Sequence, residues 1–320
     1  MAPRLDRMRL NCRLVTRVLS EEVFAATLDL ANRLPPQLAR ARMVCIPILI
    51  SVTRDLIDRR MRAPAVARGP SINAIAASLD LPFETARRNV QRMSDLGWLA
   101  IGDTSGVTLP ASMPPALADW CVDLGRRLRR AAATMEALGA VDTASLKIAT
   151  CDNSFALAAL DLFLIMAGTS NHFGLRYTEL LLVHFVCSAS VAHLNEQPQG
   201  TTPFARVDTV PDATERAFVP MADVARLLGI SRSTVYRLVS DAAQADLIER
   251  CGHGVRASDR FLASAEYVEA LELVAGRTAT LFSRVERHRC GIGCTALDQV
   301  LRRPRPWRQR AARVQHAPSA

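Results

Sequence analysis

One string of residues occurs twice in this chain with the same internal pattern. LDLPFETARRNVQRMSDLGWL spans residues 79 to 99, and LGISRSTVYRLVSDAAQADLI spans residues 228 to 248. A shift of 149 residues, which carries Thr85 onto Thr234, aligns the two strings without a gap and matches Leu79 with Leu228 and Arg88 with Arg237. Apolar character is kept at the positions that a packed unit needs to bury. The repeat therefore predicts one supersecondary unit present in two copies.

Each copy has the pattern of two short helices joined by a tight turn. In the first copy the segment SINAIAASLD opens with Ser71, a favourable N-cap, and ends at Asp80. The second copy has Gly229 at the position of Asp80, and both residue types tolerate positive φ. The next helix begins near Pro82 in one copy and near Ser231 in the other, and both are favoured at helix starts. This arrangement is a helix-turn-helix.

A hairpin pattern follows each pair of helices. GWLAIGDTSGVTL and DLIERCGHGVRAS each carry apolar residues, a turn with glycine and a second extended piece. With this hairpin, or wing, residues 71–109 and 219–257 resemble the winged helix-turn-helix domains of bacterial transcriptional regulators of the GntR, MarR and IclR types. The resemblance implies a mainly α fold with tandem winged helix-turn-helix domains, each a three-helix core plus a small β-hairpin wing, together with additional packing helices.

The resemblance also implies which residues contact DNA. In such domains the second helix lies in the major groove with its N-terminal residues at base edges. Arginine can bond guanine O6 and N7 together, and hydroxyl groups can reach phosphates or base edges. The matching helix residues are Phe83, Glu84, Thr85, Arg87 and Arg88 in the first copy and Ser231, Arg232, Ser233, Thr234, Tyr236 and Arg237 in the second. The second wing adds Arg250, His253 and Arg256, whereas the turn GDTSG of the first wing has no positive charge.

Helical apolar spacing surrounds both copies. It is found at 21–33, 41–62, 154–168 and 174–195 before the copies, and at 115–139 and 258–286 after them. In 115–139 the apolar steps of four and three suit either packing within the chain or a coiled-coil dimer, so a homodimer is left open. We divide the chain into an N-terminal half (1–140), a C-terminal half (141–300) and a basic tail (301–320) that is predicted to be disordered.

Charge and hydropathy bear on the partner and the compartment. The chain has 40 basic and 31 acidic residues, a net charge of +9 that favours nucleic acid or another polyanion as partner. The most apolar stretches, at 44–52, 155–168 and 179–194, fall short of the run of about 18 apolar residues that a membrane span needs. The N-terminus lacks the apolar core of a secretory signal. We therefore expect a cytoplasmic protein with reduced thiols and no membrane partner.

The remaining motifs are weaker. HRCGIGC offers His288, Cys290 and Cys294, which raise the alternatives of a metal site or a redox pair, but a fourth ligand and a paired CxxC are missing. No metal or other cofactor is expected. The sequence contains no nucleophile elbow, P-loop, zinc-protease motif or dinucleotide fingerprint, so an enzyme is not expected.

The function predicted from the repeat is that of a transcriptional regulator that binds double-stranded DNA sequence-specifically. It would read two half-sites with two non-identical winged helices. The alternatives are a protein-contact scaffold of the chromosome-segregation or polymerase-associated type, and a plasmid replication initiator. The helices before each copy suit an effector pocket or a dimer face, and no small-molecule effector is identified.

Overall fold

The computed structural model describes residues 2–62, 69–102, 106–110, 113–141, 152–195, 204–228, 230–252 and 254–287, and within them the chain is mainly helical. The helices of the N-terminal half are α1 (Ala2–Leu10), α2 (Cys12–Arg33), α3 (Arg42–Arg62), α4 (Ile72–Ser78), α5 (Phe83–Asp95) and α6 (Pro115–Ala137). Those of the C-terminal half are α7 (Asp152–Phe173), α8 (Tyr177–Ser190), α9 (Met221–Leu228), α10 (Arg232–Gln244), α11 (Asp259–Ala263) and α12 (Ala265–Arg287).

Two small antiparallel sheets complete the described part of the chain. The first pairs β1 (Ala100–Gly102) with β2 (Gly106–Thr108). The second has three strands in the order β3, β5, β4, formed by β3 (Val219–Pro220), β4 (Ile248–Cys251) and β5 (Gly254–Ala257). The hairpins predicted after each pair of helices are thus present. Strand β3 was not predicted, because two residues are too few to show a strand pattern.

Two helix predictions need correction. The helix predicted from residue 21 begins at Cys12, and every residue of Cys12–Ser20 is buried, including the polar stripe of Arg13, Thr16, Arg17 and Ser20 at helical spacing. The helix predicted over 258–286 is divided at Ser264, whose extended backbone (φ −67°, ψ 149°) separates α11 from α12. The break predicted at Pro35-Pro36 is confirmed, since α2 ends at Arg33 and a short 3-10 turn, Pro36–Leu38, follows.

The long helices of the two halves correspond in order, length and packing. Both α2 and α7 have 22 residues, and both α6 and α12 have 23. Within the halves, α2 packs on α6 as α7 packs on α12. Across the halves the contacts come in matched pairs. The contact of α6 with α7 matches that of α12 with α2, and the contact of α3 with α7 matches that of α8 with α2. This reciprocal pattern is that of an isologous two-fold interface, formed here within one chain.

The apolar seam of 115–139 is buried by this packing. Its residues Leu117, Cys121, Leu124, Leu128, Ala131, Met135 and Leu138 are all buried within the single chain. On the same helix Trp120 is 1% exposed and donates its indole N–H to the carbonyl oxygen of Ala26 at 2.8 Å. The seam therefore packs within the chain and does not form a coiled-coil dimer, and a homodimer would have to use another surface.

The apolar stretches at 44–52 and 155–168 lie in α3 and α7, and the stretch at 179–194 covers most of α8 and part of the 3-10 turn Ala192–Asn195; all three contribute to the shared core. Asp161, which interrupts the second stretch, accepts a hydrogen bond from Nε of Arg54 on α3 at 2.6 Å. A carboxylate in an otherwise apolar stretch of α7 therefore pairs the two halves. Among the described helices, none combines the length and apolarity required to cross a bilayer.

Candidate nucleic-acid interface

We refer to residues 71–109 as the first unit and to residues 219–257 as the second unit. In the first unit, Ser71 caps α4 as predicted, because its Oγ accepts a hydrogen bond from the backbone N–H of Ala74 at 3.1 Å. In the second unit, Ser231 caps α10 in the same way, through the N–H of Thr234 at 3.2 Å. Helix α5 begins after Pro82 without a side-chain cap. The predicted helix starts are confirmed to within a residue.

The tight turn between the two helices has the conformation that the sequence predicts. Asp80 adopts φ +49°, the left-handed region that few residues other than glycine tolerate. The backbone N–H of Leu81 then donates to the carbonyl oxygen of Ala76 at 2.9 Å and closes the turn. The prediction for Asp80 is confirmed, whereas its counterpart Gly229 lies outside the described residues.

A second left-handed turn, which the sequence analysis missed, ends α5 and α10. Gly97 has φ +72° and Asp246, at the same 149-residue spacing, has φ +55°. The hydrogen bonds of the turn also recur: Gly97 N–H to Ser94 O (2.9 Å) and Trp98 N–H to Met93 O (2.9 Å), against Asp246 N–H to Ala243 O (3.1 Å) and Leu247 N–H to Ala242 O (2.9 Å). At each of the two turns, one copy of the repeat has glycine and the other has aspartate. The aligned sequences of the two copies already show this exchange.

The hairpins occur at corresponding places but differ in register by one residue. In the first unit Ala100 pairs with Thr108, whereas Glu249, 149 residues after Ala100, pairs with Arg256. Just before the first unit, the carbonyl oxygen of Pro70 accepts from the N–H of Val107 at 2.9 Å, so this segment lies against β2 as β3 lies against β5. A Cβ atom on Gly69 would lie 1.9 Å from the carbonyl oxygen of Val107, so a side chain there would push this segment away from β2.

The inward faces of α5 and α10 are those predicted. The buried residues are Ala86, Val90 and Met93 on α5, and Val235, Leu238, Val239 and Ala242 on α10. Asn89 is also buried; its Nδ2 donates to the carbonyl oxygen of Thr85 at 2.8 Å, and its Oδ1 lies 3.7 Å from Sγ of Cys45 on α3. Each helix therefore has one face fixed to the core and the opposite face turned to solvent.

The solvent face of α5 carries Phe83, Glu84, Arg87 and Arg88, with Thr85 half-buried beside them. Glu84 and Arg87 form an ion pair at 3.0 Å. The hydrogen bond from Arg87 lowers the pKa of Glu84, and the carboxylate in turn raises the pKa of Arg87. Nε of Arg88 makes a longer contact, 3.3 Å, with the backbone carbonyl of Glu84. The cationic groups of the first unit are thus partly offset by their own carboxylate.

The solvent face of α10 has no carboxylate in its first two turns. Ser231, Arg232, Ser233, Tyr236 and Arg237 are exposed and Thr234 is half-buried. The hydroxyl of Ser231 lies 2.9 Å from that of Ser233 and 2.8 Å from that of Thr234. Within the described part of the chain, the structure records no hydrogen bond donated by the side chain of Arg232 or Arg237. Both guanidinium groups are therefore available to an anion outside the chain.

The charge of Arg237 also reaches the neighbouring helix α8. Burial would raise the pKa of Glu179, but hydrogen bonds from Arg176 and the charges of Arg176 and Arg237 lower it overall. Arg176 is itself 68% exposed at the start of α8, close to the solvent face of α10. Glu179 and Asp241 therefore offset part of the positive charge of Arg176 and Arg237.

The wing of the second unit keeps one of its predicted cations exposed. Arg250 on β4 is exposed. Arg256 on β5 is only 15% exposed; it pairs with Glu249, donates to the carbonyl oxygen of Ala213, and lies 4.5 Å over the ring of Phe218. The DNA contact of Arg256 stays a prediction, but in this structure its side chain is occupied inside the unit. His253 and the first wing's turn, 103–105, lie outside the described residues.

Comparisons of the chain with models of protein families, with curated proteins and with solved structures found no match. In the described ranges no group of three or more His, Cys, Asp or Glu side chains could hold a metal ion. His288, Cys290 and Cys294 lie outside those ranges, as does the basic tail.

Proposed function

We propose that this chain is a transcriptional regulator that binds double-stranded DNA sequence-specifically, with two winged helix-turn-helix units reading two half-sites. One observation carries the proposal. The left-handed turn that ends the second helix recurs hydrogen bond by hydrogen bond at a spacing of 149 residues, an antiparallel hairpin follows it in both units, and an arginine, Arg88 or Arg237, lies at the same exposed position of each second helix. A helix that presents such a face fits the major groove, which is about 12 Å wide.

The geometry supports a division of roles among the exposed residues. An arginine on the groove face can donate two hydrogen bonds to guanine O6 and N7, which specifies a base. The hydroxyl groups of Ser231 and Ser233 lie at the N-terminus of α10, where the helix dipole and free N–H groups favour a phosphate. Tyr236, 47% exposed, can stack on a sugar or hold a phosphate.

The two units would read different half-sites. The pair Glu84 and Arg87 stands where the second unit has Ser233 and Tyr236. A carboxylate repels phosphates but can accept a hydrogen bond from a cytosine amino group. The operator therefore need not be palindromic, although the reciprocal packing of the two halves is that of a two-fold pair. Half-sites on one face of the duplex would lie about 34 Å, or one helical turn, apart.

Selection of bound sequences from a random duplex pool, at near-physiological salt, tests the proposal. We expect a single enriched motif with two separated, unequal half-sites. In matched selections, Arg88→Ala should blur one half-site and Arg237→Ala the other. No enrichment would refute DNA reading and favour the scaffold alternative, whereas tandem copies of one motif would favour a replication initiator.

A further inference from the structure

A cleft lies between the first unit and the C-terminal half. One side is formed by α3 and by α4, the first helix of the first unit, and the other side is formed by α7 and α12. The volume of the cleft is about 520 Å³. This size is within the range of small-molecule sites, which are usually about 300–1,000 Å³. No described residue of α5 or α10 lines the cleft, so it is separate from the proposed DNA surface.

Both carboxylates in the cleft already have arginine partners. Asp55 and Asp161 are the acidic residues among the described residues that line it. Asp161 on α7 accepts a hydrogen bond from Nε of Arg54 at 2.6 Å, and Asp55 on α3 lies 2.8 Å from Nε of Arg59. Arg54 also lies 3.5 Å from Asp58. The acidic groups of the cleft are therefore engaged by arginines of α3.

Two arginines of α12 are left without a short ion pair among the described residues. Arg277 is exposed and takes part in no hydrogen bond or ion pair within that part of the chain. Arg284 is 62% exposed and lies 3.9 Å from Oδ2 of Asp161, whose other oxygen is bonded to Arg54. Seven residues make about two helical turns, so both arginines lie on one face of α12, with Thr280 between them. Both guanidinium groups can therefore approach one anionic group in the cleft.

The floor of the cleft is apolar. Leu164 and Ile165 of α7 are half-buried in it, and Ile75 and Leu281 lie beside them. Across from α12, Ser51 on α3 is also half-buried, and its hydroxyl makes no hydrogen bond with any described residue. The cleft thus combines an apolar surface with two cations on one wall and an unused hydroxyl on another.

A phosphate monoester matches this combination. Near neutral pH its phosphate group carries about −1.5 to −2 charges and three strong acceptor oxygens, which guanidinium groups bind in pairs. A carboxylate has a single charge and can compensate only one of the two arginines. We propose that the cleft binds a small organic phosphate monoester, with its phosphate group at Arg277 and Arg284 and its organic body on Leu164 and Ile165.

Binding here would reach the first unit through α4. The first unit contacts the rest of the chain mainly through α3, which packs on α5 and β2, whereas α4 faces α7 and α12 across the cleft. Helix α4 packs in turn on α5, which carries the proposed DNA-reading residues. A ligand that fills the cleft therefore biases the orientation of α5 relative to the C-terminal half. This regulatory part rests on the proposed function, and the binding itself does not.

Calorimetric titration of the full chain, without DNA, tests the binding. The probes are phenyl phosphate, hexyl phosphate and adenosine monophosphate, each paired with the compound that lacks the phosphate group. Inorganic phosphate and benzoate are titrated beside them. We expect at least one monoester to saturate the protein, and its phosphate-free partner, inorganic phosphate and benzoate to bind at least about tenfold more weakly.

Two matched pairs of variants locate the site. Arg277→Met should weaken that monoester at least about tenfold, whereas Arg126→Met, which removes an arginine that is 68% exposed on α6, should not. Ala74→Glu adds a carboxylate to the α4 wall and should weaken binding at least about threefold by repulsion. Ala77→Glu adds the same charge to the same helix outside the lining and should have a smaller effect. All four replaced side chains are exposed, and circular dichroism checks that the variants fold.

Several results would overturn the inference. Flat titrations for all three monoesters up to about 10 mM would do so, as would inorganic phosphate or benzoate binding as tightly as the best monoester. Unchanged binding by folded Arg277→Met, or equal effects of Ala74→Glu and Ala77→Glu, would also contradict it. DNA affinity is then measured with the best monoester. Unchanged DNA affinity refutes the coupling alone, and absent DNA binding refutes the proposed function while leaving the result for the cleft intact.

Discussion

Replacing Arg237 with alanine removes a guanidinium group from the solvent face of α10 without removing any hydrogen bond recorded among the described residues. If this group reads a guanine in the major groove, its loss costs about 1–3 kcal/mol, which corresponds to a roughly 5- to 150-fold higher Kd. Arg88 is the matched position of the first unit, where Nε lies 3.3 Å from the carbonyl oxygen of Glu84 and a carboxylate stands on the same turn. We expect Arg88→Ala to fall at the lower end of that range and Arg237→Ala at the upper end.

Fluorescence anisotropy on the selected duplex, over a salt series, measures both effects. A lost base contact should change the preference for one base pair and leave the salt dependence nearly unchanged, whereas a lost phosphate contact should lower the slope of log K against log salt by about 0.9. Thermal melting should show equal stability for wild type and both variants. The reasoning fails if Arg88→Ala and Arg237→Ala bind the selected duplex as wild type does, or if they weaken specific and random DNA equally.

Four further outcomes are expected. Gly97→Ala, at φ +72°, should lower the free energy of unfolding by about 1 kcal/mol in urea titrations, while Gly168→Ala inside α7, with open space around it, should raise it by a similar amount. Burial lowers the pKa of His184 from its ordinary 6.5 to about 4, so between these pH values the unfolded chain binds a proton that the folded chain does not. The free energy of unfolding should therefore be full above pH 6.5 and fall by up to roughly 3 kcal/mol towards pH 4. Thermal melts over that range should show that His184→Gln largely abolishes this loss. Asp161→Asn removes the carboxylate that accepts a hydrogen bond from Arg54 of the other half, and should lower the free energy of unfolding by about 1–3 kcal/mol. Equal unfolding midpoints for the variant and wild type in urea would contradict this. Trimming the chain after Leu301 should flatten the salt dependence of DNA binding and keep the base preference, as measured by anisotropy.

Local chemistry made much of each unit predictable from the sequence. Ser71 and Ser231 are capping residues whose preference arises within one helical turn, and Asp80 is one of the few residue types that accept positive φ. Gly97 and Asp246 carried the same information at the other end of the second helix, but each alone looked like an ordinary loop residue. Comparison of the two copies, position by position, is what reveals them.

Tertiary packing accounts for most of what the sequence did not reveal. The start of α2 has a polar stripe at helical spacing that includes Arg13 and Arg17, which normally indicate a surface, but here the stripe is buried. The engagement of Arg256 with Glu249 depends on strand register, which side-chain type alone does not encode. A pocket lined by Arg13, His184 and Tyr267 is assembled from residues of both halves, so no local pattern could have indicated it.

The packing of α1 and α2 against α12 joins the beginning of the chain to residues near its described end. Arg13 donates to the carbonyl oxygen of Leu262, a partner 249 positions later. During synthesis, therefore, the buried surface of α2 has no complete cover until nearly all of the C-terminal half has left the ribosome. Contacts of such long sequence separation are slow to form, and the exposed apolar surface in the meantime is prone to aggregation. Because the two halves share one core, that core cannot be complete until α12, the last of the described helices, has been synthesised.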